Sequence, residues 1–325
     1  MHSSLRSKLY SCCHESTVSE DGPVELEIGK ICGKRWKIID KLGEGGCGSV
    51  YKVQDIHTMA KAALKAESNF VAGGSALKLE VEILKRLDGR RYVAQLLQAA
   101  KKREWVSFLF TIFWYSYMVM TLFGQSLNTL LRRIRECSVS TQVRVGINIL
   151  YGLKQLHEVG FSSRLRNIGV ASYKKFSFAS VGYVHRDIKP ANLAIGRRGQ
   201  ETRIIHMLDF GLAREYVIRG DGTVKIRIPR TGTLFRSNLL ASNYFELCDV
   251  QFPFDVDKSI LMAPKSLRSM VYVLAEMRGA LPWDRVRGKE EIGKVKMATS
   301  DTKLCRNSPK ELLDVSDLTI ENLHY

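Results

Sequence analysis

The feature that most restricts this chain is a cluster of glycines, Gly43-Glu44-Gly45-Gly46-Cys47-Gly48, set between two β-rich runs in "RWKIIDKLGEGGCGSVYKVQD". Glycine lets a backbone turn where a Cβ would forbid it, so strand, glycines and strand together read as a hairpin. "AKAALKAE" supplies a third strand candidate. "SALKLEVEILKRL" then changes period, with Leu77, Val81, Leu84 and Leu87 at helical spacing. "YVAQLLQAA" and "YSYMVMTLF" read as two further strands, and after Gly124 the chain turns mostly helical, in "SLNTLLRRIREC", "TQVRVGINILYGLKQLHEV" and "SLRSMVYVLAEMRG". A strand-rich first third followed by a helical remainder implies an α+β chain of two lobes.

Charge and cysteine usage narrow the setting. The 325 residues carry a net charge of +17, which favours acidic partners: nucleic acid, anionic membrane, nucleotide phosphates or acidic peptides. No basic stripe with stacking aromatics stands out, so nucleic acid is not expected as a partner. The cysteines are 7 in number, scattered, and form no C-x-x-C pair. That argues against a disulfide framework or a zinc site and fits a reducing compartment, the cytoplasm and by extension the nucleus. The opening "MHSSLRSKLYSCCHESTVSEDG" has no apolar core of signal-peptide length, and residues 1–32 read as a polar, disordered tail. "WVSFLFTIFWYSYMVMTLF", from Trp105 to Phe123, is free of charge and long enough to span a bilayer, yet its aromatic and β-branched residues suit strands better.

Four motifs follow in order. Gly43, Gly45 and Gly48, with Val50 behind them, match G-x-G-x-x-G, and the strand-like "SVYKVQD" that follows favours a glycine lid over ATP rather than a dinucleotide turn. A plain tight hairpin is the competing reading. Lys65, in "AALK", is either a solvated strand lysine or an ammonium that reaches the α- and β-phosphates. Its carboxylate partner would be Glu80; Glu82 is the alternative, and it lies about 200° away around the helix, so both cannot face Lys65. In "HRDIKPAN", Asp187 can accept the proton of an attacking hydroxyl, Lys189 can neutralise charge on a transferring phosphoryl group, and Asn192 can ligate Mg²⁺. In "MLDFGLAR", Asp209 is the second expected metal ligand. Cys47, beside the same phosphates, is either a reactive thiol or an inert small residue.

In this order the motifs resemble a eukaryotic-type protein kinase. "GKRWKIIDKLGEGGCGSVYKV", "LKLEVEILKRL", "YMVMTLFGQSLNTLL", "GYVHRDIKPANLAIG" and "MLDFGLAREY" resemble the casein kinase I superfamily, in particular its tau-tubulin kinase-like branch, from about Gly33 to Met297. The resemblance implies a bilobal fold, with an antiparallel-sheet N-lobe over residues 33–122 and a mainly helical C-lobe over 123–325. It also implies ATP and Mg²⁺ as cofactors, transfer to Ser or Thr of protein substrates, Met120 at the back of the adenine pocket, and a hinge over Thr121, Leu122 and Phe123. Acidic or already phosphorylated sites would suit Arg214, Arg219, Lys225, Arg227, Arg230 and Arg236, although a solvated basic loop explains them equally.

Three segments depart from the resemblance. Residues 104–114 put an apolar run where a short hairpin turn belongs. Residues 160–181 separate "LHEV" from "GYVHRDIKPAN", which would otherwise join directly. Both are either translated non-coding sequence or family-specific insertions. In residues 237–265 the acidic pair that should anchor the catalytic loop is missing, with Lys265 and Ser266 in its place and Asp255 and Asp257 at the wrong offset. That loss keeps open a rival function, an ATP-binding scaffold without activity.

Overall fold

The computed structural model describes residues 23–45, 48–69, 75–106, 111–134, 136–158, 182–215, 217–220, 223–226, 264–310 and 312. Strands β1 (Ile31–Cys32), β2 (Trp36–Gly45), β3 (Gly48–Asp55), β4 (Lys61–Ser68), β5 (Leu96–Val106) and β6 (Thr111–Thr121) form one antiparallel sheet in the order β1-β2-β3-β4-β6-β5. Helix α1 (Ala76–Arg86) crosses between β4 and β5. Its start is set by Ser75, whose hydroxyl accepts from the Lys78 N–H, and its end by basic Lys85 and Arg86, which suit the negative end of a helix dipole.

Strand β4 is buried from Ala62 to Ser68, without the polar–apolar alternation of a half-exposed strand. Ala62, Leu64 and Ala66 join Trp36, Ile38, Tyr51, Val53, Tyr115, Tyr117 and Val119 in one apolar cluster. Ala63 joins Leu77, Ile83, Leu84, Met118 and Met120 in the larger cluster that continues into the second lobe. Because successive side chains point to opposite faces of a strand, Lys65 and Glu67 lie on the Ala63 side, toward α1.

Two expectations change here. The tail was expected to reach residue 32, but Val24 and Leu26 are buried in the first cluster. Tyr51 accounts for this: its hydroxyl donates to the Val24 carbonyl at 2.8 Å and accepts from the Leu26 N–H at 3.0 Å. Of residues 104–114, read as an apolar run where a short turn belongs, 104–106 and 111–114 extend the paired strands. Pairing continues through Arg103↔Trp114, Glu104↔Phe113, Trp105↔Ile112 and Val106↔Thr111. The strand reading of the uncharged stretch holds there, and among the described residues no helix is long and apolar enough to cross a membrane.

The second lobe is helical, with α2 (Leu127–Arg133), α3 (Val139–Glu158), α4 (Pro264–Glu276), α5 (Lys289–Ala298) and α6 (Asp301–Leu304). Helices α3 and α4 meet closely: a Cβ on Gly146 would lie 3.0 Å from Leu274, and Gln142 Nε2 donates to the Leu274 carbonyl at 2.8 Å. Short strands β7 (Tyr183–Val184), β8 (Leu193–Ile195), β9 (Ile205–Met207), β10 (Arg214–Glu215), β11 (Val217–Gly220) and β12 (Thr223–Ile226) carry the loops of the site. The architecture is thus α+β and fits the bilobal kinase fold. Cys47, residues 160–181, Arg227, Arg230, Arg236, Asp255 and Asp257 lie outside the described residues.

Candidate catalytic site

The glycine motif spans the β2–β3 hairpin, with Gly43 opposite Val50 and Gly45 opposite Gly48. Gly48 has no substitute: its φ is +102°, and a Cβ there would meet the Ala66 carbonyl oxygen at 2.1 Å. At Gly43 and Gly45, both exposed, a Cβ would meet nothing within 4 Å. Val50 in turn faces Lys65 across β3–β4, and Lys65 faces Met118 across β4–β6. One cross-strand row therefore carries the glycine hairpin down to the lysine.

Lys65 Nζ lies 2.7 Å from Glu80 Oε2 on α1 and 2.9 Å from Asp209 Oδ1 in the second lobe. Glu82, the alternative partner, points elsewhere and binds Arg86 at 2.5 Å. Burial opposes the Lys65 ammonium, but Glu80 and Asp209 more than offset it and hold the pKa above the ordinary lysine value. Burial raises the Asp209 carboxyl, and Lys65 outweighs that and holds it below the usual aspartate range. Glu80 also accepts from the Phe210 N–H at 3.3 Å, tying α1 to the segment that presents Asp209.

The loop from His185 to Asn192 is equally constrained. Lys189 Nζ donates to Asp187 Oδ2 at 2.7 Å, and Asn192 Nδ2 donates to the same oxygen at 2.9 Å and to the Asp187 carbonyl at 2.9 Å. His185 is fully buried and stays neutral: burial lowers its pKa more than Asp187 and Asp209 raise it. As a neutral ring it accepts the Asp187 N–H on Nδ1 and donates from Nε2 to the Leu208 carbonyl. Arg186 Nε donates to the Leu212 carbonyl at 2.6 Å. Arg186 and Asp209 hold φ of 65° and 62°, in the left-handed region that costs a non-glycine residue on the order of 1–2 kcal/mol. Such strain persists only where surrounding bonds fix it, as the Arg186 and Asp209 contacts do.

Met120 is buried at the end of β6, opposite Ala63 and Leu96. Leu122, with Thr121 and Phe123, lines a cavity of 450 Å³ shared with Lys61, Arg197 and His206. None of those neighbours belongs to the group around Lys65. Ser266, where an acidic anchor was expected, is buried, and its hydroxyl has no hydrogen-bond partner among the described residues. Sequence reasoning passed over Glu67, a buried carboxylate that accepts from Ser75 Oγ and from the Ala76 and Leu77 N–H groups. The one hint in the sequence is indirect: the helix that follows has no acid in its first turn, so an acid from elsewhere could serve it.

The arrangement gathers a strand ammonium, two carboxylates from different elements, and an aspartate braced by a lysine and an asparagine, all between two lobes. The chain is 39% identical over 307 residues to a Caenorhabditis elegans protein named as a serine/threonine-protein kinase, covering 94% of this chain and 77% of that one. It is 27% identical over 291 residues to a Dictyostelium discoideum protein so named, covering 89% of this chain but only 50% of that protein's length. A Caenorhabditis elegans protein named as a casein kinase I is 23% identical over 301 residues, covering 90% of this chain and 76% of its own. No family model matches the chain. With that identity over most of both chains, and the interlobe constellation in place, the chain belongs to the serine/threonine-protein kinase family.

Proposed function

We propose that the chain is an active ATP- and Mg²⁺-dependent kinase that transfers the γ-phosphate to Ser or Thr of protein substrates. The observation that carries this reading is the shared lysine: Lys65 Nζ bridges Glu80 and Asp209 beneath the glycine hairpin, within the same interlobe site as the braced Asp187. Lys65, held by Glu80, would grip the α- and β-phosphates under Gly43, Gly45, Gly48 and Val50, with Met120 and Leu122 against the adenine. Asp187 is the proposed base. Its bonds to Lys189 and Asn192 both fall on Oδ2, which leaves Oδ1 to orient a substrate hydroxyl and accept its proton. Lys189 would neutralise charge on the phosphoryl group in flight.

The residues present fit a magnesium ion. Asn192 spends its amide hydrogens on Asp187, so its side-chain oxygen remains a hard donor, and Asp209 offers a carboxylate held ionised. Among the described residues no group of three or more His, Cys, Asp and Glu could hold a metal alone, so phosphate oxygens and water would complete the shell. When bound, the ion would neutralise charge on the phosphates. Most of the acceleration would come from positioning and electrostatics, since phosphoryl transfer asks little covalent chemistry of the protein.

A preference for acidic or primed sites, and membership of the tau-tubulin kinase-like branch, extend this reading. Arg214, Arg219 and Lys225, carried on β10, β11 and β12 just after Asp209, support the first; the wording of the motifs supports the second. One observation favours the rival reading of an ATP-binding scaffold: the unpartnered Ser266 hydroxyl where a carboxylate would anchor the catalytic loop. Transfer of labelled phosphate from ATP to casein separates the two. Asp187→Asn is expected to lower transfer by about 10²–10⁴-fold; equal labelling by both proteins would overturn the kinase reading.

A further inference from the structure

Helix α1 carries the carboxylate that holds Lys65, so whatever fixes α1 fixes the phosphate-gripping side of the site. The first turn of a helix exposes unsatisfied N–H groups and the positive end of its dipole, yet α1 has no acidic residue in that turn. The charge is supplied from the sheet. Glu67 on β4, only 2% exposed, accepts from the N–H of Ala76 at 3.1 Å and of Leu77 at 3.0 Å, and from Ser75 Oγ at 2.6 Å. Ser75 Oγ accepts in turn from the Lys78 N–H at 3.1 Å. Three N–H groups of the first turn are thus satisfied by one strand carboxylate and the hydroxyl it holds.

The placement matters as much as the bonds. Lys65 and Glu67 are two apart on β4 and share a face. Ala76 and Glu80 are four apart on α1 and lie one above the other. The strand therefore grips the helix at two points about one turn apart, through Glu67 at the N-terminus and Lys65 at Glu80. Beside the apolar packing of Leu77, Ile83 and Leu84, two polar attachments one turn apart help to fix the rotation of α1 as well as its distance. We infer that Glu67 is a positioning residue for phosphoryl transfer, acting through α1 to set Glu80 against Lys65. The inference rests on the kinase reading above and adds a residue to it.

The test uses the full chain, with steady-state kinetics on ATP and casein beside hydrogen exchange over residues 76–86. Glu67→Ala is expected to lower kcat on the order of tenfold, the scale of losing a charged helix cap, with KM for casein within about twofold. The Ala76 and Leu77 amides should exchange faster by a similar factor. Glu67→Gln, which keeps the length and one acceptor oxygen, should recover part of both losses. Unchanged exchange over α1 in Glu67→Ala overturns the inference, as does a kcat loss that merely follows the unfolded fraction with Gln no better than Ala. If the wild-type chain labels casein no better than Asp187→Asn, the kinase reading fails by itself. The exchange data still decide whether Glu67 holds the helix.

Discussion

Two ion pairs of nearly equal burial sit in the two halves of this molecule, and they are built differently. Lys65 and Glu80 are 6% and 1% exposed; Arg268 and Asp301 are 7% and 6% exposed. Both sets of charges have left water at a cost of several kcal/mol per ion. Arg268 closes the account locally. Its two terminal nitrogens meet the two oxygens of Asp301 at 2.9 and 2.7 Å, its Nε donates to Tyr272 Oη, and its plane lies over the Tyr272 ring. That fork geometry joins α4 to α6 and is directionally specific. Lys65 is a point charge on a flexible stem, shared between a helix of one lobe and Asp209 of the other. A lysine that already divides itself between partners can exchange one for a phosphate. On the proposed reading, burial alone does not mark the functional charge; the exchangeability of its partners does.

Replacing the lysine of the first pair by the cation of the second gives the largest effect and tests the contrast directly. Lys65→Arg keeps the charge but cannot divide a single point between Glu80 and Asp209. Phosphate transfer should fall by on the order of 10²-fold or more, the scale of losing one preorganised charge contact, while the melting temperature moves by only a few degrees. Retained transfer would mean that the site needs only a positive charge. The opposite result is expected at the other pair. Asp301→Ala removes the bidentate carboxylate from the buried Arg268 guanidinium and should cost up to about 3–5 kcal/mol in urea unfolding, with transfer per folded molecule within about twofold. A cost below about 1 kcal/mol would show that water or another group takes over at Arg268, and the second pair would not be closed.

The same contrast explains what the sequence discloses. Helical spacing shows that only one of Glu80 and Glu82 can meet Lys65, and it is the family spacing of the resemblance that selects Glu80. Asp187, Lys189 and Asn192 are legible because their bonds are local. Arg268 and Asp301 stand 33 residues apart, with no periodicity linking them, so only the packing of α4 against α6 brings them together. Glu67 is hidden for another reason. An acid in "KAALKAES" reads as a solvated position until β4 proves buried on both faces. Val24 and Leu26 are two apolar residues in a polar stretch, and it takes the Tyr51 hydroxyl to hold them. The length of the β5–β6 hairpin is likewise unreadable, because an apolar run at a turn looks misplaced when the strands are assumed to have ended.

A third test asks how far neutral histidines support the second lobe. Burial pushes the His157 pKa down to about 4, with His185 adding to the effect, and lowers His185 as well. A group whose pKa is depressed by folding takes up protons more readily when unfolded, so stability is lost as pH falls. For His157 the contribution is intact above about pH 6.5 and disappears toward pH 4, amounting to at most about 3 kcal/mol. Unfolding free energy measured over that window should therefore slope upward with pH. His157→Gln should flatten part of the slope, with His185 and His206, both also lowered by burial, contributing to the remainder. Identical slopes for both proteins would mean that His157 is solvated enough to titrate freely.

The smallest expected effect sharpens the comparison most finely, because it lies on the same helix as Glu80. Glu82 pairs with Arg86 at 2.5 Å, but the two side chains are 50% and 34% exposed. An exposed pair four residues apart contributes about 0.3–0.5 kcal/mol, and salt screens it. Arg86 also has other company: it lies 5.3 Å over the Tyr183 ring and 3.8 Å from Glu215. Removing Glu82 therefore leaves the guanidinium placed. Glu82→Ala should change the unfolding free energy by less than about 0.5 kcal/mol at low salt, by nothing measurable at high salt, and should leave transfer unchanged. A loss above about 1 kcal/mol, or a fall in transfer, would mean that Glu82 steers Arg86 onto Glu215. The C-terminal end of α1 would then be coupled to the segment following Asp209, and exposure would no longer separate the structural carboxylate of this helix from the functional one.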